Sequence, residues 1–340
     1  MFASNPNARP QRKPPGGVAV TFLGLLWWGI CREVSGRAAT GLLGSVAGGA
    51  FVPLLSAIFV LFLVVLGLFA LEMLRGKRAG SARQVLCLPR RPTAAREWGV
   101  GAAIGWAAVV LAILPLALAR ALYVQTWFAP RGILAAVLSL ATLGLSTLTT
   151  EAVFRGYGFR RLESTIGPNR AMVLLSAIYA LIVSFSLGSA TAILISFLLA
   201  LLLATAWRRT HALWLPWGLH FTWSAALGVL FGLPLFGGTE LSTVIQAQAQ
   251  GSVRLTGAGL GPIAAPWTGF VLLGAIVLLI VVTRDFAWAY THSPIVAGGH
   301  PMEVAPSAAH TAMEQTAPPP PLVQILPSTP QVRSRTDPLR

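Results

Sequence analysis

The chain has 340 residues, of which 55% are hydrophobic and 10% charged, and its mean hydropathy is +0.71. A soluble domain carries about 25% charged residues, so the solvent this composition fits is lipid. The formal charge of +15 would suggest nucleic acid in a soluble protein. Here the Lys and Arg stand mainly between apolar runs, where they set topology and meet anionic headgroups. Membrane lipids are therefore the expected partners, and nucleic acid is not. Cys31 and Cys87 have no metal-type spacing and no neighbouring His, which argues against a disulfide framework or a zinc site.

Residues 1–16 are Pro-rich and basic, the composition of a disordered tail. The apolar stretch 18–31 is short for a span of about 20 residues. It ends in Trp-Trp-Gly-Ile-Cys-Arg rather than a small-residue cleavage site, so it reads as an anchored first helix. Seven clearer spans follow, at about 48–73, 98–122, 132–153, 171–187, 189–207, 212–233 and 265–283. The total is eight if 18–31 crosses and seven if it lies in the interface.

The connector 75–97 carries Arg75, Lys77, Arg78, Arg83, Arg90, Arg91 and Arg96. Alternate threading puts Arg160, Arg161, Arg170, Arg208, Arg209 and Arg284 on that same side, against Arg120, Arg131 and Arg254 opposite. The crowded side is then cytoplasmic, which predicts a protein integral to the plasma (inner) membrane with a cytoplasmic C-terminal tail. The connector 234–264 is Gly-rich, extracytoplasmic and without periodicity. The tail from 286 contains "APPPPLVQILPSTPQ" and reads as disordered.

Polar residues at membrane depth mark candidate sites. The span 132–153 holds Ser139, Thr142, Ser146, Thr147, Thr149, Thr150 and Glu151, most of them on one broad face that has nothing to offer lipid. Glu151 and Arg155 stand four apart and can pair on a continuing helix, as can His220 and Ser224. By threading, Glu151 and His220 lie at comparable depth, toward the cytoplasmic half of their helices. Zinc catalysis usually takes three protein ligands, and Glu151 and His220 are the available intramembrane donors, so neither metal nor cofactor is expected.

With those residues in view, the chain resembles the CAAX prenyl endopeptidase and bacteriocin-processing (CPBP, Abi) family of membrane proteases over roughly residues 95–235. Members carry Glu-Glu-x-x-x-Arg followed by a Phe-Arg-Gly-type turn, then Phe-x-x-x-His, then His-x-x-x-Asn/Asp. "EAVFRGYGFRRL" matches the first block from its second glutamate, with Glu151 and Arg155 in register, and "WRRTHALWLPWGLHFTWS" resembles the third through His220. The resemblance implies a membrane-embedded endopeptidase acting on membrane-associated peptides or proteins near the cytoplasmic face. It also implies that the first Glu and the second-block His activate a water, while the third-block His and Asn stabilise the oxyanion.

The first glutamate position is Thr150. "SAIYALIVSFS" aligns Tyr179 with the second-block aromatic and leaves Val183 at the histidine position, and Ser224 stands for Asn/Asp. Losing such a base typically forfeits about 10²–10⁴ in rate. The expectation is an all-α polytopic membrane protein of seven or eight transmembrane helices with a CAAX-protease-type core. Its remnant site comprises Glu151, Arg155, His220 and Ser224, with Thr150 and Val183 at the degenerate positions, and proteolysis is expected to be weak or absent. The runner-up is a non-enzymatic transporter, peptide-binding or scaffold protein. The expected organisation is a tail 1–16, N-terminal helices and basic connector 17–94, the membrane core 95–235, a loop and last helix 236–285, and the tail 286–340.

Overall fold

The computed structural model describes residues 16–74, 81–126, 128–184, 187–235, 244–252 and 256–284. The tail expected at 286–340, the tail 1–16 up to residue 15, and Arg75, Lys77, Arg78 and Arg254 of the connectors lie outside the described residues.

The architecture is the expected all-α polytopic one. Helices α1 (Gly17–Leu43) and α2 (Val52–Leu74) form a hairpin. After a single turn, α3 (Ala82–Val85), come α4 (Ala94–Leu118) and α5 (Pro130–Glu151). The helix of α5 does not stop at the expected Phe-Arg-Gly turn. It widens into a π-helical stretch over Ala152–Phe159 and continues as α6 (Arg160–Ile166), so that Pro130–Ile166 is one run of 37 residues. Then follow α7 (Pro168–Ser184), α8 (Ala190–Thr210), α9 (Trp214–Ala225, extended by a π turn Ala226–Leu230) and α10 (Pro266–Val282). Five of these runs, beginning at Gly17, Val52, Ala94, Pro130 and Ala190, are long and apolar enough to cross a membrane, and α7 and α10 are shorter apolar helices.

Two departures from the sequence reading have physical causes. The first helix has 27 residues, far more than 18–31. Arg32, Glu33 and Arg37 interrupt its apolar run, but all three are on the exposed side, with Glu33 and Arg37 paired across one turn. Trp28, Cys31, Ser35 and Ala39 are buried along the opposite side and carry the helix past them. The second departure is a small sheet: β1 (Leu122–Thr126) pairs antiparallel with β2 (Ile245–Ala249), Val124 opposite Ala247. The connector read as irregular thus contributes a strand, and the span expected to reach residue 122 ends as helix at Leu118.

Helix ends follow their residues. Pro130, Pro168 and Pro266 open α5, α7 and α10, where a missing N–H costs nothing. Ser189 caps α8 by accepting from the Ala192 N–H. His211 closes α8 in the left-handed conformation, φ 49°. The tightest helix contact is α4 against α9: a Cβ at Gly101 would overlap Leu215 O, and one at Gly218 would overlap Trp98 O. Small residues let helix backbones approach where lipid supplies no hydrophobic drive.

The basic connectors gather at one end of the bundle. Arg161 pairs with Glu72, Arg91 donates to Thr210 O, Arg208 to Asn169, and Arg209 to Thr283. The β ribbon lies on connectors of the other set, after α4 and before α10. Alternate threading requires this segregation.

Candidate functional site

The site starts from the junction of α5 with its π-helical continuation. Glu151 is the last residue of α5 and is fully buried, and all eight residues Ala152–Phe159 are buried behind it. π-helical turns are uncommon and frequent at functional sites. The widened turn is packed tightly: Gly156 lies against Cys87 and Leu213, and Thr21 of α1 donates to Gly158 O at 3.3 Å. Arg155 remains one turn from Glu151, and its Nη1 donates to Glu151 Oε1 at 3.3 Å. Its Nη2 donates to Ala200 O of α8 at 3.0 Å, tying α8 to the junction.

Helix α9 delivers His220 to the same carboxylate. His220 Nδ1 lies 2.7 Å from Glu151 Oε1, so one oxygen serves both the guanidinium and the imidazole. Glu151 Oε2 is buried without a hydrogen-bond partner. On the far side of the ring, His220 Nε2 faces Tyr179 Oη of α7 at 3.4 Å. The tyrosine ring meets Phe154 edge-on at 5.4 Å and carries the Arg155 guanidinium 5.0 Å from its centroid. The result is a buried chain, Arg155–Glu151–His220–Tyr179, drawn from α5, its π extension, α9 and α7.

The remaining predicted residues fall as follows. Thr150 is half-buried, and its hydroxyl donates to Ser146 O of its own helix at 2.8 Å. Val183 packs against the apolar cluster that includes Phe154, Tyr179 and Trp207. Ser224, one turn beyond His220, is buried but does not join the chain. Thr147 and Thr149 also turn their hydroxyls back onto α5, to Leu143 O and Leu145 O. Much of the hydroxyl face of that helix is thereby satisfied internally, as Ser and Thr often are in apolar helices.

Two residues escaped the sequence reading. Tyr179 entered it only as an aromatic ring, and its hydroxyl is the group that meets His220. Glu97, just outside the expected span 98–122, is fully buried in the first turn of α4, where Thr93 Oγ1 donates to it at 2.8 Å and Arg91 Nε lies at 3.4 Å. The Thr93–Glu97 spacing of four was the available signal. Because Arg91 also holds Thr210 O, this cluster anchors the connector to the α8–α9 turn.

Chemically, the chain can hold an imidazole in one orientation and stabilise a buried carboxylate. Among the described residues no group of three or more His, Cys, Asp or Glu side chains is placed to hold a metal ion.

Comparison with known proteins finds no matching curated protein and no matching solved structure. Residues 132–226, from the first turn of α5 to the end of α9, match one family, described as type II CAAX prenyl endopeptidase Rce1-like. That segment contains Glu151, Arg155, Tyr179 and His220, and over it the chain is similar to the CAAX protease family.

Proposed function

We propose that this protein has lost efficient peptide hydrolysis and keeps the family's intramembrane cleft as a binding site for a membrane-associated peptide or protein. One observation carries the reading. Thr150, at the position of the water-activating carboxylate, has its hydroxyl engaged by Ser146 O, and Val183, at the position of the cooperating histidine, is an apolar side chain half-buried against the core. A water attacking a peptide carbonyl needs a base within hydrogen-bond reach, and neither side chain is one. Glu151 does not readily replace them: its Oε1 takes both Arg155 and His220, and its unpartnered Oε2 is buried away from solvent. The cluster of basic residues at one end of the bundle supports a cytoplasmic placement of that end, in a plasma (inner) membrane, with anionic lipid headgroups around it.

A second reading is favoured by the 2.7 Å Glu151–His220 contact, which is how a carboxylate orients a histidine base in hydrolases. Under it His220 would activate water directly. The two separate in a cleavage assay with quenched membrane peptides and the purified protein in lipid. The wild-type protein is expected to give no turnover above background, and Thr150→Glu plus Val183→His to raise it. Wild-type turnover abolished by His220→Gln would establish the second reading instead.

A further inference from the structure

The face of α1 turned away from the bundle has the pattern of a helix interface. Phe22, Leu26, Gly29, Glu33, Gly36 and Thr40 recur at alternate spacings of four and three, the seam along which two helices interlock. Trp28, Cys31, Ser35 and Ala39 are buried on the other side of the helix. On the seam, Phe22 and Leu26 are 51% and 61% exposed, and a Cβ at Gly29 or Gly36 would meet nothing within 4 Å. Around Gly36 lies an open groove of about 430 Å³, lined by Arg32, Glu33, Gly36, Arg37 and Thr40.

This groove lies at membrane depth. Gly17 sits against Arg161 at the basic end of the bundle. Glu33 is about 24 Å further along the helix at 1.5 Å per residue, within a hydrocarbon core of about 30 Å. Charged residues in membrane spans normally face protein and are paired. Glu33 and Arg37 pair with each other at 3.9 Å, which leaves one guanidinium in excess. Among the described residues no ion pair involves Arg32. Its Cζ lies 5.1 Å from the centre of the Trp28 ring, one turn nearer the basic end. The side chain thus turns into the membrane rather than out to the far headgroups.

We propose that this face of α1 docks a transmembrane helix of another protein, one with an Asp or Glu at the level of Arg32 and a small or aliphatic seam over Gly29 and Gly36. Charge decides the occupant. A lipid tail brings no carboxylate to Arg32. A second copy of this chain would lie parallel in the same membrane, and the register of the seam would set Glu33 against Glu33 and Arg32 against Arg37. Both contacts are like against like. The site is on the outer face of α1, apart from the Glu151–His220 cluster, and does not depend on whether that cluster hydrolyses peptides.

The test places the full-length protein in phosphatidylcholine liposomes with a labelled Leu/Ala helix and reads energy transfer between the two. Versions of the helix carry Glu, Gln or Lys at the level of Arg32. The Glu helix is expected to associate several-fold more tightly than the Gln helix, and the Lys helix least. Arg32→Glu is expected to reverse that order. Gly36→Leu leaves every charge in place and fills the groove, and leucine is the better helix former. It is expected to lose the Glu helix without a fall in melting temperature, and the Arg32→Glu arm stands without it.

Equal association of the three helices, an order that Arg32→Glu leaves unchanged, or full binding by a folded Gly36→Leu overturns the proposal. Displacement of the Glu helix by phosphatidylglycerol also overturns it, and would assign the groove to an anionic headgroup. A wild-type homodimer that Gly36→Leu dissociates would do the same in favour of a second copy.

Discussion

Arg155 and Glu151 neutralise each other inside the protein, with side chains 3% and 0% exposed and their closest N···O distance 3.3 Å. The pair also positions two other helices, α8 through Ala200 O and α9 through His220. Removing one member of a buried pair leaves an uncompensated charge, which costs about 3–5 kcal/mol. Glu151→Gln is therefore expected to lower the melting temperature in detergent markedly. Glu151→Gln combined with Arg155→Met removes both charges and is expected to recover part of that loss. Thermal scans of the two single variants and the double variant check this. Strictly additive losses would show that the residues do not act as a pair.

Trp267 of α10 donates its indole N–H to Leu111 O of α4 at 2.9 Å. Leu111 is four residues before Pro115, which lies inside α4 and has no N–H to return. The tryptophan fills that gap and joins two helices. Trp267→Phe is expected to cost about 1 kcal/mol, in the range of interhelical hydrogen bonds in membranes. The cost is expected to shrink in a Pro115→Ala background, where residue 115 recovers its N–H. A double-mutant cycle on detergent unfolding measures the coupling, and a zero coupling energy would remove the explanation.

The α4–α9 contact admits no added atom at Gly101, because its Cβ would overlap Leu215 O, whereas a Cβ at Gly99 meets nothing within 4 Å. Gly101→Ala is expected to destabilise by about 1–3 kcal/mol, the usual range for overpacking. Gly99→Ala, on the same helix, is expected to be neutral or to stabilise by about 0.5–1 kcal/mol. Equal effects at the two positions would mean that helix propensity, not close approach, decides.

How much of this was legible in the sequence depends on the reach of each signal. Glu151 and Arg155 are four apart on one helix, so their contact is local and could be read directly. His220 could be placed only through its family motif and its depth, and the 2.7 Å approach of α9 to Glu151 is a tertiary fact. The role of Tyr179 was hidden because a phenol and a phenyl ring fit an aromatic position equally well. Only the meeting of α7 with α9 distinguishes them. The β ribbon joins Leu122–Thr126 to Ile245–Ala249, a pairing across more than half the membrane core that no local periodicity signals. The length of α1 was obscured for the opposite reason: its charges are local, but which side they occupy is settled by packing.

Cys87 yields a prediction in pH. It sits in the connector before α4, in a left-handed conformation with φ 52°. Its carbonyl accepts from the Leu213 N–H at 3.1 Å, and its Sγ lies 3.4 Å from Gly156 O of the π-helical stretch. Arg160 Nη1 donates to the sulfur at 2.9 Å. Burial pushes the Cys87 thiol pKa up, and the Arg160 charge and hydrogen bond oppose this without overcoming it. The fold therefore holds the thiol proton more tightly than the unfolded chain, whose thiol titrates at about 8.5. Above that pH the unfolded state binds fewer protons, so stability falls as pH rises, and below it the thiol contributes no pH dependence. The wild-type protein is expected to lose more stability than Cys87→Ala between about pH 8.5 and pH 10, with parallel profiles below. The checking measurement is the difference between the two melting-temperature profiles, which cancels the other titrating groups. A difference that grows toward acid pH would place the Cys87 proton on the wrong side of the folding equilibrium.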